Sequence, residues 1–164
     1  MSNKITLILL FTLGLLKLGL SQESDLFQLW PDTTLAKANS GISSEFLSNS
    51  EKEVVYYINL CRINPPLFAE SILTDYLKTN DIKKDKEVKD LIKQLEETDP
   101  KEILQVEESL TTTARLQAKD MGETGRTGHN SSNGKSFKER TQNIANVFNG
   151  INENANYGME TALG

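Results

Sequence analysis

Residues 50–66 read Ser-Glu-Lys-Glu-Val-Val-Tyr-Tyr-Ile-Asn-Leu-Cys-Arg-Ile-Asn-Pro-Pro, and this stretch decides the class of fold that the sequence predicts. Ser50, followed three residues later by Glu53, predicts a capping box at the start of a helix. Asn64 ahead of two prolines predicts the cap of a second helix, because proline is tolerated in a first turn. The first helix is expected over residues 51–62, where the apolar residues recur at helical spacing: Val54, Val55, Ile58 and Cys61.

Two later stretches repeat the helical period. Apolar residues form one stripe over residues 88–95 and another over residues 110–121. Gly122 and Gly125 follow the second stripe and are expected to end its helix. The chain as far as Gly128 is therefore predicted to be mostly helical.

The N-terminus has the pattern of a cleavable signal peptide. Lys4 precedes an apolar run over residues 5–20, and small residues lead to a plausible cut at Ser21-Gln22. A retained membrane anchor is the alternative, but Lys17 near the centre of a membrane-spanning helix would cost about 2 to 3 kcal/mol. We therefore expect residues 1–21 to be removed. The mature chain is then secreted, or periplasmic or otherwise extracellular, without stable membrane insertion.

Cleavage leaves an irregular N-terminal arm over residues 22–49 and one globular domain over residues 50–164. The signal peptide holds two of the 18 basic residues and none of the 23 acidic ones, so the exported chain has a net charge of −7. An acidic chain without a basic stripe argues against nucleic acid and anionic membrane surfaces as partners. Cys61 is the only cysteine, which excludes an intramolecular disulfide and favours a place in the core.

His129 is the only histidine, and it lies in a Gly- and Ser-rich loop after a helix. Its ring nitrogens suit proton transfer or metal binding, and an exposed loop histidine without a role is the alternative. Glu153, between two asparagines, is the candidate partner that would bind a cation or orient His129, unless it faces solvent. Asn130-Ser131-Ser132 fits an N-glycosylation sequon, a pattern that also arises by chance.

Taken in order, several of these segments resemble the CAP superfamily, which is named for the cysteine-rich secretory proteins, antigen 5 and the pathogenesis-related proteins. The likeness is to its SCP-type, disulfide-free bacterial members in particular. The matching stretches are residues 53–62 with Asn64-Pro65 behind them, residues 110–121 ahead of Gly128-His129, and Glu153-Asn154-Ala155 with Gly158.

The resemblance implies an α+β fold, an α-β-α sandwich of which this chain holds the helical part and the start of the sheet. It also implies a cleft in which two histidines and two glutamates converge and, in some members, hold a divalent cation such as zinc. His129 matches the first histidine and Glu153 the first glutamate, and Asn154 lies beside them in the ligand cleft.

The chain departs from the family pattern around this motif. Asn152 stands where the family usually has glycine, and Ala155-Asn156 stands in place of an apolar and a small residue. The second glutamate and the second histidine would fall beyond Gly164, and Glu160 follows Glu153 too closely to be that glutamate. The resemblance therefore implies a domain that continues past Gly164.

Three functions fit these observations. A non-enzymatic binding module would take a small or lipid-like ligand, with or without a divalent cation, in the cleft of His129 and Glu153. A metal-assisted hydrolase would use the same cleft and lose its activity without His129. A secreted interaction domain would bind an extracellular protein and need neither residue. The sequence favours the binding module.

Overall fold

A computed structural model of the protein describes residues 26–144, 150–158 and 162, and within them the regular structure is helical. The helices follow one another in chain order, and the longest connections are residues 39–48, 97–107 and 125–136. They are α1 (Asp32–Ala38), α2 (Asn49–Ile63), α3 (Pro65–Phe68), a π-helical turn (Ala69–Leu73), α4 (Thr74–Thr79), α5 (Lys86–Glu96), α6 (Glu108–Thr124) and α7 (Phe137–Thr141).

The predicted α+β sandwich is wrong for the part of the chain that the structure describes. Helix accounts for 55% of those residues and strand for none of them. The segment after α6, which was expected to lead into the sheet, turns instead at Gly128 and Gly134, whose φ angles are 109° and 87°. Such left-handed positions interrupt an extended strand, and the chain then enters the helix α7.

Local capping signals set the helix starts, although one prediction was placed two residues too late. The reciprocal bonds of the capping box join Ser48 and Glu51, with Ser48 N donating to Glu51 Oε2 over 2.7 Å and Glu51 N donating to Ser48 Oγ over 3.3 Å. The expected pair of Ser50 and Glu53 is therefore wrong. The Asn64 cap is confirmed, since its Oδ1 accepts from Leu67 N over 3.1 Å.

Two further helix boundaries differ from the prediction. The helix α6 continues through Gly122 and ends at Gly125, whose φ of 64° is the left-handed value of a helix C-cap. The expected irregular arm contains α1, which begins after Pro31. The carbonyl of Pro31 accepts from the backbone N–H groups of Thr34 and Leu35. A helix of seven residues is too short for its apolar period to show in sequence.

The chain divides into two compact units, and the first comprises the described residues up to Ala38 together with Ile58–Ile103. Its fully buried residues include Leu60 of α2 at 0% exposure and Ile72 of the π-helical turn at 1%. Trp30 is 3% exposed, and its Nε1 donates to Ser71 Oγ over 3.0 Å. The Trp30 side chain therefore belongs to the core of this unit.

Cys61 also lies in the first unit and is half-buried. Burial raises the pKa of its thiol, because a thiolate is poorly solvated there. The thiol therefore stays protonated and is a weak nucleophile, as expected of a cysteine that packs against other residues.

The second unit comprises Asn39–Tyr57 and the described residues from Leu104 onward. Arg115 on α6 joins its two segments, since Nε donates to Glu51 Oε1 over 2.6 Å and Nη2 donates to both Glu51 Oε2 and the carbonyl of Phe46. This ion pair holds the pKa of the Glu51 carboxyl at about 2, well below its usual 4.5.

The pH dependence of stability follows from that ion pair. Because the folded state depresses the pKa of Glu51, the stabilisation is fully present above about 4.5 and is lost as the pH falls toward about 2. We expect urea unfolding midpoints to fall over this pH window and to fall less in Glu51→Gln, which cannot titrate. An equal fall in both proteins would contradict a contribution from Glu51.

None of the helices in the described part combines the length and apolarity needed to cross a bilayer. The predicted signal peptide, residues 1–21, lies outside the described residues, so export stays a prediction. The division into an arm and a domain likewise stays a prediction.

Candidate functional site

The loop after α6, residues 125–136, is hydrogen-bonded to two side chains of that helix, and we call it the histidine loop. Asp120 accepts from Ser132 N over 2.6 Å and also from the Ser132 hydroxyl. One turn earlier, Gln117 Oε1 accepts from Ser131 Oγ over 2.8 Å, and both of these side chains are buried. The hydrogen bonds from Ser132 lower the pKa of the Asp120 carboxyl. The loop that carries His129 is therefore held on a rigid helix.

A second capping box starts α7 directly after this loop. Ser136 Oγ accepts from Glu139 N over 3.3 Å, and Ser136 N donates back to Glu139 Oε2 over 2.8 Å. The cap sets the direction of α7 and hence the position of Arg140 in its last turn. The guanidinium carbon of Arg140 lies 5.6 Å from the centre of the Phe137 ring, in cation–π range.

Arg140, Glu153 and His129 form the centre of the site, which we call the Glu153 cluster. Arg140 Nη2 donates to Oε1 and Oε2 of Glu153, each over 2.9 Å, and to the carbonyl oxygen of His129 over 3.0 Å. His129 Nδ1 lies 3.0 Å from Glu153 Oε1, so a protonated Nδ1 donates to the carboxylate. One carboxylate thus connects α7 to the histidine loop.

The three members of the cluster differ in how far their side chains are buried. The side chains of Arg140 and Glu153 are 9% and 15% exposed, whereas that of His129 is 58% exposed. The ion pair is therefore largely shielded from water, whereas the His129 ring is open to it. Nε and Nη1 of Arg140 are buried and have no hydrogen-bond partner among the described residues.

Tyr157 connects residues 150–158 to the histidine loop at a second point. Its hydroxyl donates to the carbonyl of Gly128 and accepts from Gly128 N, both over 2.9 Å. Gly128 has a φ of 109°, a conformation that side chains rarely adopt, which explains glycine beside His129. Residues 150–158 are therefore attached to the loop through Glu153 and Tyr157.

A cavity of about 320 Å³ opens beside Glu153. Its walls are residues of α6 and α7 together with residues 150–154, and most of the lining is apolar. The side chains and backbone that line it are Leu110, Thr113, Ala114, Phe137, Thr141, Gly150, Ile151, Asn152, Glu153 and Asn154. Glu153 is the only charged residue among them. The site therefore offers one shielded carboxylate at the edge of an apolar space.

The structure brings together the residues that the sequence singled out. Glu153 contacts His129, and Asn154 lines the cavity beside them. Within the described residues, His, Cys, Asp and Glu do not gather in any group of three or more that could hold a metal ion. His129 and Glu153 are therefore the only two predicted zinc ligands that meet among the described residues, and the metal site stays a prediction.

Sequence reasoning missed Arg140 and gave Tyr157 no role. The signal for Arg140 was available, because Ser136 and Glu139 are a capping-box pair that predicts a helix start just before the arginine. Nothing in the sequence indicates that this arginine pairs with Glu153, 13 residues later. That contact depends on the path of the chain between them.

The likeness to the CAP superfamily rests on short segments, and the helical structure of the described residues does not match the sandwich that it implies. The two residues that the resemblance assigned to a cleft, His129 and Glu153, lie in contact, with 3.0 Å between Nδ1 and Oε1, and the family itself stays a prediction. Comparisons with protein-family models, curated proteins and solved structures return no match to this chain.

Proposed function

We propose that the protein is an exported binding module whose cavity beside the Glu153 cluster takes a small, largely apolar molecule that carries one hydrogen-bond donor. The observation that supports this most is the Glu153 carboxylate, which is the only charged group among the described residues that line the cavity. Ligand sites commonly combine an apolar lining with a few placed polar groups. A volume of about 320 Å³ is at the small end of the usual range of about 300 to 1,000 Å³.

The Glu153 carboxylate fits a hydrogen-bond donor better than a free cation. An ionised carboxylate has about four acceptor positions, and Arg140 and His129 use three of them in contacts of 2.9 to 3.0 Å. Arg140 also neutralises its charge. A hydroxyl or amide N–H of a ligand can use the remaining acceptor position, whereas a divalent cation must compete with the guanidinium for the same oxygens.

The contact between Arg140 and Glu153 also argues against the alternative function, a metal-assisted hydrolase. A metal-assisted mechanism needs a carboxylate that is open to a cation and an activated water. In the Glu153 cluster both carboxylate oxygens accept hydrogen bonds from Arg140. Binding of a small or lipid-like molecule is therefore the function that this geometry favours.

The test uses 1-decanol and decyl methyl ether as probes, titrated into the full chain by calorimetry. Both have an apolar chain, but only the alcohol has a donor for Glu153. A hydrogen bond to a charged group contributes about 1.5 to 3 kcal/mol, so we expect the alcohol to bind at least about tenfold more tightly than the ether.

Variants separate the carboxylate from the rest of the cavity. In Glu153→Gln the preference for alcohol over ether is expected to fall below about threefold, because a neutral amide is a weaker acceptor. Glu123→Gln, which changes an exposed carboxylate on α6, serves as the matched control and is expected to keep the preference. No saturable binding of the alcohol, or an unchanged preference in Glu153→Gln, would refute the proposal. A parallel zinc titration whose stoichiometric site disappears in His129→Ala and Glu153→Gln would support the metal site instead.

A further inference from the structure

The histidine loop carries the only Asn-x-Ser/Thr triplet of the chain, Asn130-Ser131-Ser132. Asn130 lies at a bend between α6 and α7 and is exposed, while Ser131 beside it is buried at 8% exposure. Acceptor asparagines of N-glycans lie in exposed loops, because the attached sugar is bulky and hydrated. The exposure of Asn130 thus meets a requirement that a chance triplet in a helix or core does not.

We infer that Asn130 is an N-glycosylation site. The side-chain amide nitrogen of Asn130 forms the new bond to C1 of the first sugar and loses a proton. The bond that breaks joins C1 to the diphosphate of a lipid-linked oligosaccharide, and the lipid diphosphate leaves. The inference depends on the predicted export, since this donor is used during transfer across a membrane, and it does not depend on ligand binding in the cavity.

The hydrogen bonds of the loop indicate when the transfer occurs. The transferring enzyme must bind the hydroxyl of the third residue of the sequon, here Ser132. In the folded protein both the hydroxyl and the backbone N–H of Ser132 are bound by Asp120. The sequon is therefore available before α6 and the loop pack together, that is, while the chain is being exported.

Folding then leaves the modified asparagine accessible. Ser131 Oγ donates to Gln117 and Ser132 binds Asp120, so the two serines are drawn onto α6. Asn130 itself is exposed and follows His129, whose side chain is 58% exposed. A glycan at Asn130 therefore replaces none of the hydrogen bonds of the Glu153 cluster, which join His129, Arg140 and Glu153.

The experiment expresses the full chain in insect cells with its own N-terminus and, in parallel, with residues 1–21 replaced by an established signal sequence. The second version reaches the secretory pathway even if the first does not. The secreted protein is treated with peptide-N-glycosidase in heavy-oxygen water and mapped by mass spectrometry. We expect a mobility shift that the enzyme removes and label incorporation at Asn130.

Four variants define the site. Asn130→Gln and Ser132→Ala are expected to abolish the shift, and Ser132→Thr, which keeps a hydroxyl, is expected to retain it. Asn133→Gln changes a neighbouring exposed asparagine outside the triplet and is the matched control. A secreted protein without glycan at Asn130, or a shift that persists in Asn130→Gln, would overturn the inference.

Discussion

Arg140→Met is expected to destabilise the second unit by about 3 kcal/mol. The substitution leaves the Glu153 carboxylate, 15% exposed, without its cation, and removes the bond to the carbonyl of His129. Removing one partner of a buried ion pair costs about 3 to 5 kcal/mol, because the other charge is left buried and unpaired. We expect the lower end of that range, because Nε and Nη1 of Arg140 are themselves buried without a partner among the described residues, and removing them recovers some free energy.

Urea unfolding of the full chain, followed by far-ultraviolet circular dichroism, measures this effect. Lys138→Met changes an exposed basic residue on the same helix and is expected to shift stability by less than about 0.5 kcal/mol. Combining Arg140→Met with Glu153→Gln removes both charges. The double variant should therefore be more stable than the sum of the single effects predicts. Equal stabilities of Arg140→Met and Lys138→Met would contradict a structural role for the pair.

Trp30→Ala is expected to destabilise the first unit by about 4 kcal/mol. The indole is 3% exposed, and removing a buried aromatic side chain costs about 3 to 5 kcal/mol through lost burial and the cavity left behind. Trp30→Phe keeps much of the apolar area and loses the bond to Ser71 Oγ. Its cost is therefore expected to be smaller, about 1 to 2 kcal/mol.

Leu29 provides the control for this prediction, because it is the preceding residue and is 59% exposed. Leu29→Ala is expected to change the free energy of unfolding by less than about 0.5 kcal/mol. Chemical denaturation monitored by circular dichroism compares the three variants without relying on tryptophan fluorescence. A cost for Trp30→Ala as small as that for Leu29→Ala would show that the arm adds nothing to this core.

The helices illustrate how far local signals reach. Asn64 caps α3 as predicted, because its side chain and the two prolines act within one turn. The long α6 was likewise predicted from its apolar period. The start of α2 was misplaced by two residues, since Ser48 and Glu51 compete with Ser50 and Glu53 as capping pairs and the sequence pattern does not rank them.

The sheet was predicted through family resemblance alone and did not follow from the residues themselves. Polar and apolar side chains do alternate over residues 113–119, but this stretch lies within the helix α6. The segment between α6 and α7 turns at Gly128 and Gly134 instead. The resemblance of short motifs was therefore a poor guide to the secondary structure of this segment.

The sequence by itself determined the longer helices α2, α5 and α6, and it singled out His129 and Glu153 as candidate site residues. It did so because helical period, caps and unusual residue types act over a few neighbouring positions. Only the tertiary structure decided that Arg140 shields Glu153, that Tyr157 holds Gly128, and that Trp30 enters the core of the first unit. These contacts join residues 13 to 41 positions apart. Their formation depends on the path of the intervening chain and on the burial that packing provides, and neither is encoded in a local pattern.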